Sequence, residues 1–179
     1  MSPRDPDHVP DRERPVGRIR KSVPEASDDQ VAGVPWPDVP GRRLVEASWV
    51  GTAVLAVAVV AGIVDIEAVA PAVVAVSGLL FAGGTIAFFV GYARAVERSR
   101  RELLGIGGIY FMAGSTPARV RRQMMASLVV EVVLVVVAVS VKPFSSLVFT
   151  SLAPMWGLGL AGMWSATHGS FPPRDAGAG

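Results

Sequence analysis

The sequence predicts an all-α membrane protein, with four transmembrane helices in two hairpins behind a disordered N-terminal tail. Three observations lead there. Hydrophobic residues make up 51% of the 179 and charged residues only 18%, against about 25% charged in a soluble domain. The mean hydropathy is +0.45. Apolar residues gather into four runs, 47–64, 68–93, 123–141 and 143–167, broken by a single charged residue, Glu131. Arginines, finally, cluster at alternate ends of these runs.

Residues 1–43 are polar and rich in proline, with basic and acidic residues intermixed. Such a stretch buries too little apolar surface to offset its ordering entropy, so a disordered tail is expected. It is not a signal peptide, which would carry its apolar core within the first 15–30 residues or so. Pro35-Trp36-Pro37 suggests an extended approach to the membrane, with Trp36 at the interface.

The apolar runs are valine-rich, which in water would suggest strands. Length decides otherwise: buried strands take about 4–8 residues, and 18 helical residues cover about 27 Å of a hydrocarbon core roughly 30 Å thick. Within lipid, only a helix satisfies its own backbone. The predicted transmembrane domain covers 44–168, with helices at about 46–64, 69–93, 117–141 and 145–167. Asp65-Ile66-Glu67 links the first two. Pro71 is tolerable near the start of helix two. An Arg-rich loop, 94–116, joins the hairpins. Ser115-Thr116-Pro117 predicts a hydroxyl cap with proline in the first turn of helix three. Pro143 stops that helix, Pro154 should kink helix four, and 169–179 form a short tail.

Orientation follows from Lys and Arg near the helix ends. Arg94, Arg98, Arg100 and Arg101 in the middle loop and Arg119, Arg121 and Arg122 in the first turns of helix three share one side, whereas the opposite side holds only Lys142. Both termini and the middle loop are therefore expected in the cytoplasm. These arginines should also attract anionic lipid, each contributing on the order of 1 kcal/mol. Leu103 to Met112 is apolar but too short to span, and is expected to lie at the interface with Tyr110 and Phe111 among the headgroups. It reads either as a docking surface or lipid sensor, or as part of a loop that only sets topology.

Glu131 is the sharpest candidate for chemistry, eight residues beyond Gln123 and so about 12 Å deep by helical rise. An acid near a helix centre costs about 2.5–3.5 kcal/mol, so it must be neutral, partnered or facing water. Depth-matching offers Thr52, Thr85 and the stretch 156–159 as partners. Three roles are open: one neutral interhelical hydrogen bond, docking of a partner helix, or proton or cation translocation. The lack of a second intramembrane ionisable residue argues against the last. Small residues form a second set, Gly78, Gly84 and Gly91 in helix two and Gly157, Gly159 and Gly162 in helix four. They suit close packing within the bundle, or association with another copy or another membrane protein.

Other chemistry is missing from the sequence. Zero cysteine excludes disulfides, thiolate metal sites and cysteine nucleophiles. His168 stands without neighbouring ligands and is expected to cap the C-terminus of helix four. Gly157-Leu-Gly159-Leu-Ala-Gly162 matches a dinucleotide fingerprint in letters, but it lacks the preceding strand and the following acid. No enzyme, cofactor, metal or nucleic-acid partner is expected.

The stretch from Arg98 through Ser115, the Val141-Lys142-Pro143-Phe144 turn, and Ala153-Pro154-Met155-Trp156-Gly157-Leu158 on to Arg174 resemble uncharacterised actinobacterial (mycobacterial-type) multi-pass membrane proteins of unknown function. Arginine outnumbers lysine fifteen to two, as in a high-GC genome. The resemblance spans roughly 44–174, implies an inner-membrane location and transfers no functional residues. The expected function is a non-catalytic accessory or structural subunit of the plasma (inner) membrane, as a homo-oligomer or part of a larger complex. The alternative is a small proton- or cation-coupled transporter or channel component using Glu131.

Overall fold

The computed structural model describes residues 35–100, 109–112 and 116–171. The expected disordered tail lies outside these residues up to position 34, as do Arg101, residues 103–108 of the interfacial stretch and the last eight positions.

The chain is all-α, with no strand among the described residues. After a 3-10 turn at Trp36–Asp38, α1 spans Arg42–Val64, α2 Ile66–Arg98 and α3 Ala118–Val141. The fourth span is composite, a 3-10 stretch at Ser146–Leu152 followed by α4 at Met155–His168. Each of the four is long and apolar enough to cross a membrane.

Local chemistry sets the boundaries. Gly41 precedes α1 with φ 69°, a left-handed conformation that a side chain resists. Asp65 ends α1 and caps α2, its carboxylate accepting from the Ala68 N–H at 3.2 Å. One residue thus makes the whole hairpin turn. α2 runs through Pro71 and past the expected end at 93, and its 33 residues measure about 50 Å. Arg94 and Arg98 therefore ride on helix, not on a loop. α3 starts one residue late, with Pro117 itself as the N-cap; Ser115 of the expected hydroxyl cap lies outside the described residues.

The larger correction concerns the fourth span. In place of a kinked α-helix it is broken. The Ser145 hydroxyl accepts from the Leu147 N–H, the Ala153 N–H reaches back only three residues to Thr150 O, and Pro154 then forbids a continuous ladder.

The hairpins interleave. Ser48 meets Ser127 and Thr52 meets Glu131, both 79 residues apart, so α1 and α3 run parallel in constant register. Arg94 meets Thr167, 73 residues on, and Gly84 touches Met155 and Gly159, so α2 and α4 are parallel as well. The α2–α4 contact is the most extensive in the molecule, followed by α1–α3.

Polarity is inverted relative to a water-soluble fold. Val57, Val60, Val64, Leu79, Ile86 and Val136 are exposed, while Ser48, Thr52, Ser77, Ser127, Glu131, Thr150 and Ser165 are buried. Hydrocarbon outside and hydrogen bonds inside is the arrangement a bilayer favours. Several hydroxyls return their proton to their own helix, Ser77 to Val73 O and Thr150 to Leu147 O.

Candidate functional site

The break before α4 exposes the first amides of a helix deep in the bundle. Pro154 is the N-cap and offers no side-chain bond. The Trp156 N–H is satisfied by Ala153 O. The Gly157 N–H instead donates to Glu131 Oε2 at 3.2 Å, while Glu131 Oε1 lies 3.0 Å from Thr52 Oγ1. Glu131 is 1% exposed. A carboxyl from α3 thus caps the start of α4, where orphan amides and the positive end of the helix dipole both favour an acceptor.

Proton counting constrains the arrangement. Thr52 has one hydroxyl proton, yet Ser48 O and Glu131 Oε1 both lie 3.0 Å from its oxygen. A protonated Glu131 removes the conflict: its O–H donates to Thr52, Thr52 donates to Ser48 O, and the remaining carboxyl oxygen takes the Gly157 N–H. Every proton is then used once.

Of the partners expected for Glu131, Thr52 and the 156–159 stretch are in place. Thr85 is not. Its depth is suitable, but α2 packs on α4 and α1, and the Thr85 Oγ1 is buried without a partner. Depth along a helix can be read from sequence, whereas the face it presents depends on which helices become neighbours.

The glycines divide as well. A Cβ on Gly84 would strike the Met155 carbonyl, one on Gly159 the Gly84 carbonyl, and one on Gly91 the backbone of Gly162 and Met163. These are backbone-to-backbone contacts of α2 with α4. Gly157 leaves room for Glu131, and Gly162 for the Tyr110 ring. The dinucleotide-like triplet is therefore used in packing. Gly78 has nothing within 4 Å of such a Cβ, and its expected packing role is withdrawn.

Gly83 belongs to the small-residue run of helix two, whereas Gly51 of helix one carries no such signal in the sequence. Gly51 of α1 and Gly83 of α2 face opposite sides of the Trp156 indole, whose Nε1–H donates to Ala47 O at 3.0 Å. Trp164 likewise seats on Gly41 and donates to Pro40 O at 3.2 Å. A bulky indole at the depth of a glycine on another span was the available signal.

The arginines expected at anionic lipid separate into two groups. Arg94 donates to Thr167 Oγ1 at 3.0 Å. Arg98 donates to Ala166 O and Gly169 O, at 3.0 and 2.9 Å, and lies over the Phe171 ring. Both are engaged by the C-terminal turn of α4, whose unpaired carbonyls favour a cation. Arg100, Arg121 and Arg122 are exposed, and Arg119 stands over the Trp36 ring at 4.9 Å. His168 leans on Trp164, with ring centroids 5.4 Å apart.

Tyr110 is also not among the headgroups, though Phe111 is exposed. Its ring stacks on Phe88 at 4.6 Å, and its hydroxyl is buried. Burial pushes that phenol above its ordinary range, with Tyr92 adding to the effect. Among the described residues no group of three His, Asp or Glu side chains could hold a metal ion. No protein family, curated protein or solved structure matches the chain.

Proposed function

We propose that the chain is a multi-pass protein of a bacterial inner membrane, both termini cytoplasmic, acting as a non-catalytic accessory or structural subunit in a homo-oligomer or larger membrane complex. One observation supports this above the others: both oxygens of Glu131, the one intramembrane acid, are engaged inside the fold, holding α4 to α1 and α3. A carboxyl used in that way serves architecture. The arginine ends of α2 and α3 support the sidedness.

Recovery from the native membrane in mild detergent tests the role. A reproducible partner or a defined homo-oligomer is expected, and a bare monomer overturns it. The broken fourth span favours one second reading, since discontinuous helices commonly frame transport sites. In that case Glu131→Gln abolishes proton or cation flux in proteoliposomes. Under the accessory reading there is no such flux to lose.

A further inference from the structure

Where α1 and α3 begin, a cavity of about 530 Å³ opens between Trp36, Glu46, Trp49, Val50, Arg119 and Gln123. A volume of this size suits a small-molecule site, and an amphipathic lining suits a ligand with one wet and one apolar end. We propose that this groove holds the headgroup of one anionic phospholipid. The inference rests on the membrane reading above and adds a defined site to it.

Hydrogen-bond polarity selects the charge. An indole N–H only donates, so the 3.1 Å contact from Trp49 Nε1 fixes Gln123 Oε1 as the acceptor and leaves the NH₂ as the side chain's donor group. The Arg119 guanidinium lies over the Trp36 ring, a cation–π contact that holds the charge beside the groove. No acceptor among the described residues takes the guanidinium N–H groups. The one carboxylate lining the groove, Glu46, is held by Arg42 Nε at 3.0 Å. With Glu46 paired to Arg42 outside the lining, Arg119 is the lining charge left without a counter-ion among the described residues, which fits a phosphodiester and disfavours a headgroup that brings its own cation.

Position selects a lipid over a soluble phosphate ester. Trp36 and Trp49 flank the groove where aromatic rings mark a membrane interface. Below it, the exposed side of α1 continues as Val50, Val54 and Val57, an apolar track on which an acyl chain can lie.

Native mass spectrometry of the detergent-purified full chain, with equimolar phosphatidylglycerol and phosphatidylcholine, is the test. One retained phosphatidylglycerol per chain is expected. Arg119→Ala should weaken retention about fivefold, the loss expected for one interfacial arginine. Arg119→Lys should lose part of it, because the guanidinium's fork of N–H donors goes while the charge stays. Paired Arg121→Ala and Arg122→Ala changes, off the groove, should leave it intact. Equal retention of both lipids, equal loss in the off-groove variant, or equal competition by soluble glycerophosphoglycerol overturns the site. Far-ultraviolet circular dichroism separates an unfolded variant from one that has only lost lipid. Failure of the membrane reading itself is distinct, because the protein would then be monodisperse without any amphiphile.

Discussion

Glu131 shows how much one side chain can be asked to satisfy. Removing it leaves the buried Gly157 amide without its acceptor and the Thr52 hydroxyl with Ser48 O alone, and an unsatisfied buried group costs about 1–3 kcal/mol. Glu131→Ala should therefore lower thermal stability in detergent by about that much. Glu131→Gln offers an acceptor to Gly157 and a donor to Thr52, and should stay within about 1 kcal/mol of the parent. A Gln variant as unstable as the Ala variant would show that the carboxyl does more than complete hydrogen bonds. Tyr110 gives a second residue-scale test. In a Tyr92→Phe background it is the remaining tyrosine, and its ultraviolet titration midpoint should lie above the ordinary phenol value of about 10. The native fold holds this proton more tightly than the unfolded chain does. Its contribution to stability is thus complete below the ordinary value and is lost as pH rises through the native midpoint.

At the scale of elements, the α2–α4 contact is built from carbonyls lying where side chains would otherwise be. Gly84→Ala and Gly159→Ala each drive a methyl into backbone that has no rotamer to change, and should cost about 1–3 kcal/mol. Gly78→Ala meets open space and should be neutral, or stabilising by up to about 1 kcal/mol from helix propensity alone. Thermal denaturation of the three variants in one detergent gives the comparison; equal effects would refute the close approach. The spans themselves were legible in the sequence, because length and hydropathy decide whether a helix fits a bilayer. Glu131 and Thr52 were legible too, since a buried acid needs a partner at its own depth. Three things were not. The 3-10 stretch before Pro154 depends on Ser145 and Thr150 satisfying amides locally, a choice that hydropathy does not register. The idleness of Gly78 and the isolation of Thr85 both follow from which helices become neighbours, and small residues alone do not encode that. The inward turn of Tyr110 depends on Gly162 opening a space beneath its ring.

For the whole molecule, sidedness is the quantity that parallel pairing constrains. α1 and α3 must start on one side, and α2 and α4 must end there, so a single measurement fixes all four. The chain has no native cysteine. Glu67→Cys and Arg100→Cys, both at exposed positions, can therefore be probed with an impermeant thiol reagent on intact cells. Labelling is expected at position 67 alone; labelling at 100 reverses the topology. The interleaving also has a consequence for biogenesis. The glycine strip of α2 finds its complement only in a segment some 73 residues later in the chain. While the ribosome is still making that segment, the strip faces lipid or the insertion machinery with its notch vacant. Sealing must await the arrival of α4, so synthesis halted after the third span should leave an intermediate exposed to quality-control proteolysis.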